Sequence, residues 1–166
     1  MTCIGRFGGD GVLRLHRPFS RAAVYTVEEE RGWAACHVRN GSGEYLATLE
    51  RDGRVRESLI FNVYKGSVRT GTMAAAPRAE NGPNVLPAVS LSWGKRSFDG
   101  FTLTAPVWES EGTHRRGLAV LKRTPGGWRL RMTAGAGPGD ECDALLTLAA
   151  AEVWVRMKQR QGGGAL

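Results

Sequence analysis

Apolar and polar residues alternate in short runs along most of this chain, and near residue 140 the alternation stops. Residues 12–16 and 22–28 have the period of two that marks half-buried strands, with Pro18 between them. Residues 33–39 and 45–49 flank Asn40-Gly41-Ser42-Gly43, turn chemistry that predicts a hairpin. Asp52-Gly53 and Lys65-Gly66 punctuate two further runs, 59–64 and 67–74, and the simple inference is an antiparallel meander. After a proline-rich loop at 76–87, β-prone runs recur at 88–93, 101–105, 107–109, 117–123 and 128–133. The pattern amounts to about ten or eleven strands.

The final segment has a different period. From Ala144 to Met157 only Thr147, Glu152 and Arg156 are polar. At about 100° per residue, Glu152 and Arg156 form a narrow stripe with Thr147 on the far side. A helix so apolar around its circumference must be enclosed. A bilayer core asks for roughly 20 apolar residues, more than this interrupted run supplies, so the enclosure is expected to be protein. Strands followed by one buried helix predict a sheet wrapped around it. The helix is expected over 140–160, with Asp140 as N-cap and Asp143 three residues on. Acids at its start and Arg156, Lys158 and Arg160 at its end complement the helix dipole. One domain is expected over 11–160, between a loose glycine-rich 1–10 and a flexible tail at 161–166.

Composition narrows the partner class. The chain has 166 residues and is 42% hydrophobic, enough for one core and unlike a disordered chain. The formal charge of +7 favours an anionic partner such as nucleic acid or an acidic membrane face. Three cysteines without a CxxC pair fit a reducing compartment, and the first residues lack a secretory pattern, so a cytoplasmic protein, peripheral at a membrane if it meets one, is expected.

No residue set predicts catalysis. His16, His37 and His114 are scattered without an evident carboxylate partner, and Cys36 and His37, adjacent in a strand, point to opposite faces. Cys142 sits among Asp140, Glu141 and Asp143, which oppose a reactive thiolate. The glycines at 135, 137 and 139 lack the Lys-Ser/Thr ending of a phosphate loop. Glu109 and Glu111 read as surface charge. No metal or cofactor is expected, and the protein is not expected to be an enzyme.

The basic clusters carry more information. They are Arg51, Arg54 and Arg56 beside one turn, Lys95 and Arg96 after Trp93, His114, Arg115 and Arg116 in an expected loop, and Arg129 and Arg131 beside Trp128. Arginine forks match phosphate oxygens bidentately. The i, i+2 spacing of Arg54/Arg56 and Arg129/Arg131 puts both members of each pair on one strand face. Trp33, Trp93 and Trp128 are expected in the core, as is Trp154; exposed, they could rest in a lipid interface or stack on a base.

Four segments resemble the tubby C-terminal-like superfamily, which includes the tubby domain, LURP-one-related proteins and phospholipid scramblases. Residues 43–51 (GEYLATLER) are similar to the glycine, strand and basic-residue segment of LURP-one-related proteins, and 62–66 (NVYKG) resemble the strand and turn that follow. Residues 117–123 (GLAVLKR) resemble a later strand ending in a basic pair, and 143–151 (DALLTLAAA) the helix that plugs the barrel. The resemblance spans about residues 11 to 159 and implies a closed antiparallel β-barrel of about twelve strands around a buried hydrophobic C-terminal helix. It also implies a noncatalytic binding or scaffold module whose surface arginines meet anionic phospholipid, in particular phosphoinositide, headgroups. The cysteine-rich stretch and calcium-binding segment of scramblases are missing, so lipid scrambling is not implied. The rival expectations are a nucleic-acid-binding barrel using the same side chains and a carrier or enzyme with a barrel cavity, which the threaded helix would fill.

Overall fold

A computed structural model describes residues 1–52, 59–77, 89–100, 104–111 and 113–163. Twelve strands precede one helix: β1 (Thr2–Phe7), β2 (Val12–His16), β3 (Ala23–Glu30), β4 (Ala35–Asn40), β5 (Tyr45–Asp52), β6 (Leu59–Lys65), β7 (Val68–Pro77), β8 (Val89–Trp93), β9 (Arg96–Gly100), β10 (Thr104–Glu111), β11 (His114–Thr124), β12 (Gly127–Met132) and α1 (Pro138–Gly163). Each strand pairs antiparallel with its neighbours in sequence, and β1 pairs with β12 to close the ring.

The expected closed barrel around a helix is therefore present. Its geometry follows from side-chain size. An eight-stranded barrel is filled by its own side chains; twelve strands leave room for a helix about 10 Å across. Inward positions help by being small, as at Cys3, Ala47, Ala75 and Ala119, all at most 1% exposed. The helix contributes Ala144, Ala149, Ala150 and Ala151 to the same interior, with Leu145, Leu148 and Trp154 filling the larger spaces. Thr147, completely buried, satisfies its hydroxyl by donating to the Asp143 carbonyl at 2.7 Å.

Several boundaries differ from the expectation. The glycine-rich start is not loose, because Thr2–Phe7 is β1 and closes the barrel against β12 and β2. Its glycine serves close approach: a Cβ on Gly5 would lie 2.1 Å from the Arg14 carbonyl oxygen, and one on Gly127 would lie 1.9 Å from that of Gly5. Arg96–Gly100 forms β9, and β10 continues through Pro106. The basic loop expected at His114 is the start of β11. The helix begins earlier: Gly137 is the N-cap, its carbonyl accepting from Glu141 N–H at 3.1 Å, and Pro138 takes the first helical position. Asp140 reaches back to accept from the Gly137 N–H at 3.1 Å, the N3 role in a capping arrangement. Residues 161–163, expected as tail, extend α1. The loop expected at 76–87 falls outside the described residues from 78 onward.

Candidate functional site

The barrel sorts the basic residues into those facing carboxylates and those facing solvent. Arg96, at the start of β9, meets three acids at the N-terminal end of α1. Its Nε donates to Asp143 at 3.0 Å, one terminal nitrogen donates to Asp140 at 3.0 Å, and the other lies against Glu109. Lys65 reaches Asp143 at 3.0 Å, and Arg116 reaches Glu109 at 3.1 Å and Asp140 at 3.5 Å. Lys65, Arg96 and Arg116 thus face Asp140, Asp143 and Glu109, charge against charge. Glu109 belongs to this cluster rather than to the open surface expected for it. A depression of about 470 Å³ opens beside it, lined in part by Lys65, Lys95, Arg96 and Trp93. Its Lys65 and Arg96 are already committed to carboxylates, so this opening offers little positive charge to an incoming anion.

A second cluster centres on a buried carboxylate. Glu152, 2% exposed, accepts from the Trp128 indole at 2.8 Å, from Arg123 at 3.3 Å and from Arg156 at 2.8 Å. The Arg156 guanidinium also covers the Trp33 ring at 4.3 Å and the Phe7 ring at 4.9 Å, and those rings meet edge to face at 5.3 Å. The stripe of Glu152 and Arg156 read from periodicity is therefore the polar seam that fixes the helix to β11 and β12.

The outer face of β11, β12 and β1 is different. Lys122 on β11 stands in register opposite Arg129 on β12, and Arg131 opposite Thr2 of β1. All three cations are exposed, and none has an ion pair among the described residues. Thr2, Val120, Lys122, Arg129 and Arg131 line a depression of about 270 Å³. Arg129 also borders a neighbouring one of about 540 Å³ with Ile4, Arg6 and His16. Arg14, farther along, is committed to Asp10 at 2.6 Å, which holds that carboxyl below its usual range.

Of the other candidates, Arg54 and Arg56 lie outside the described residues. Lys95 is exposed in the β8–β9 turn, and Arg115 falls within β11. The tryptophans at 33, 128 and 154 are buried, and Trp93 is partly so. Burial pushes the thiols up, Cys36 to about 12 and Cys142 to about 11, as an inert role requires.

One polar chain escaped the sequence reading. Tyr45 donates to the Thr48 hydroxyl at 2.6 Å, that hydroxyl lies 2.8 Å from His37 Nδ1, and His37 Nε2 meets Glu30, whose carboxyl this hydrogen bond lowers. The signal was the β3–β4 register, which sets Glu28 opposite His37 and Glu30 on the diagonal. Hydroxyl, imidazole and carboxylate occur in the order of a hydrolase triad, but on the outer wall of β3, β4 and β5, and none of them lines the depressions above. Among the described residues no group of acids, histidines and cysteines could hold a metal ion, and no helix is long and apolar enough to cross a membrane. No protein-family model, curated protein or solved structure matches the chain.

Proposed function

We propose that this protein is a noncatalytic, tubby-like binding module that recognises anionic phospholipid headgroups, phosphoinositides in particular, through Lys122, Arg129 and Arg131. It works peripherally at the cytoplasmic face of a membrane. The observation that carries this reading is the in-register pair Lys122 and Arg129. Like charges directly opposite on neighbouring strands destabilise a sheet, and a phosphate between them turns that repulsion into attraction. The Arg131 guanidinium on the same face adds a fork suited to phosphate oxygens. On the Lys122–Arg129–Arg131 face the described side chains offer no open aromatic ring, since Trp128 beside Arg129 is buried, and stacking on bases at that face would need one, which favours lipid over single-stranded nucleic acid there.

Sedimentation with phosphatidylcholine vesicles, plain or carrying phosphatidylinositol bisphosphate, tests the reading. Binding is expected only to the charged vesicles and should weaken with salt. Arg129→Ala with Arg131→Ala is expected to weaken it about thirtyfold, at about 1 kcal/mol per surface cation. Vesicle binding that ignores this double substitution overturns the site. Salt-sensitive binding to single-stranded nucleic acid without a vesicle response would put the rival reading in its place.

A further inference from the structure

The β2–β3 connection exposes an aromatic ring on a backbone that disfavours one. Phe19 is 109% exposed relative to its reference state, and its φ is +64°. The Ser20 N–H donates to the Arg17 carbonyl at 3.1 Å, closing a four-residue turn with Pro18 second and Phe19 third. Positive φ at the third position with proline at the second is the pattern of a type II turn, where glycine is the usual occupant. The turn is also tied down: His16 Nδ1 lies 3.0 Å from the Arg17 carbonyl, and the Ala22 N–H donates to the Ser20 hydroxyl at 3.3 Å. A rigid tip thus carries a side chain that strains its backbone and leaves its whole apolar surface in water. Nothing within the barrel gains from it. Among the described side chains, Phe19 is the one exposed Phe, Tyr or Trp ring.

The charges around the ring indicate what covers it. Arg17 and Arg21 flank it, both exposed and without an ion pair among the described residues. The β1–β2 register sets Ile4 opposite His16, and the β1–β12 register sets Thr2 opposite Arg131, so Arg131 lies at the rim from which this loop projects. At about 4.8 Å per strand, β12 and β2 are separated by only about 10 Å. The acids at this rim are occupied, Glu141 by the Tyr25 hydroxyl and Asp140, Asp143 and Glu109 by Lys65, Arg96 and Arg116. An apolar tip between two arginines, beside a further basic face, therefore matches an anionic bilayer: the ring enters the headgroup–acyl boundary while the guanidiniums stay at the phosphates. We propose that residues 17–21 form an interfacial anchor that seats this rim of the barrel on an anionic membrane, with Phe19 inserted. The anchor rests on the lipid-binding reading and orients the molecule, loop first, so that the Lys122–Arg129–Arg131 face meets the same surface.

The full chain, its Phe19→Gly and Phe19→Trp variants, and the Arg129→Ala/Arg131→Ala double variant should be compared by sedimentation with phosphatidylcholine vesicles containing phosphatidylserine and phosphatidylinositol bisphosphate. Glycine fits the positive φ and removes no packing contact, so that variant folds. It is expected to bind about tenfold more weakly, the equivalent of incomplete burial of one ring. Tryptophan at 19 is expected to restore binding and to be quenched by lipids brominated along the acyl chain. Binding by Phe19→Gly equal to the unaltered chain, while the arginine variant is weakened, overturns the anchor and leaves the headgroup site standing. No binding of the unaltered chain to any of these vesicles overturns both. A Phe19-dependent dimer in solution, with vesicle binding unchanged, assigns the ring to a contact between copies of this chain and likewise overturns the anchor.

Discussion

Arginines inside this barrel and arginines on its outer wall are the same side chain in opposite circumstances. Arg96, Arg123 and Arg156 each face a carboxylate carried by α1, across distances of 44, 29 and 4 residues in sequence. Lys122, Arg129 and Arg131 face water and each other. Arg96 and Arg123, with Lys65, Arg116 and the Trp128 indole, tie the helix to the wall and set its rotation, and Arg156 completes the buried end of that set from the helix itself. The outer group lowers stability slightly and is available to a ligand. Availability is therefore decided by what stands opposite a cation, which neither net charge nor clustering in sequence reveals.

That contrast can be broken most sharply at Glu152. Replacing it by alanine leaves Arg123, Arg156 and the Trp128 indole facing an emptied site, and is expected to cost about 3 to 5 kcal/mol in urea unfolding. Leu145→Ala and Leu148→Ala separate charge from burial: both residues are fully buried, so each should cost about 2 to 5 kcal/mol by the same measurement. A loss below about 1 kcal/mol would mean a helix that is not core. Arg96→Ala removes a cation from three acids and is expected to cost about 1.5 to 3 kcal/mol.

A different effect, one that accumulates with pH, is expected in alkaline solution. The Cys36 thiol is raised from 9.0 to about 12 and that of Cys142 from 9.0 to about 11, in both cases chiefly by burial. Above pH 9 the unfolded chain has released these protons and the folded one has not, so stability is full below that pH. It should fall as pH rises toward 11 and 12, with a slope of up to about 1.4 kcal/mol per pH unit for each thiol. Alanine or serine at both positions should flatten the profile. Smallest of all, Arg129→Ala and Arg131→Ala should shift stability by no more than about 0.5 kcal/mol in either direction while altering vesicle binding.

Much of the fold was legible because alternation and enclosure are local patterns. Val12–His16 was read with the bounds observed, and the helix followed from an apolar circumference that only a surrounding wall can satisfy. β1 was missed because Gly5 reads as looseness when it serves a tight crossing of backbones. β9 was missed because Arg96–Gly100 has a single large apolar residue, Phe98, to signal its inward face. The candidate site was legible in one respect: the i, i+2 spacing of Arg129 and Arg131 put both on one strand face, and the barrel turns that face outward. Arg96 and Arg116 looked equivalent to them in sequence. Glu109 meets both as their in-register neighbour on β10, a matter of hairpin register, whereas Asp140 meets them only through the threaded helix, which no spacing rule encodes.

The ring also dictates an order of events during synthesis. Thr2 finds its partner in Arg131, almost the last strand residue to leave the ribosome, and α1 emerges later still. The first strand therefore waits, one edge unpaired, for nearly the entire chain, and the helix has to be captured while the wall is still open. Such non-local closure is slow and exposes sticky edges, so chaperone dependence and aggregation of truncated chains lacking α1 are the natural liabilities of this architecture.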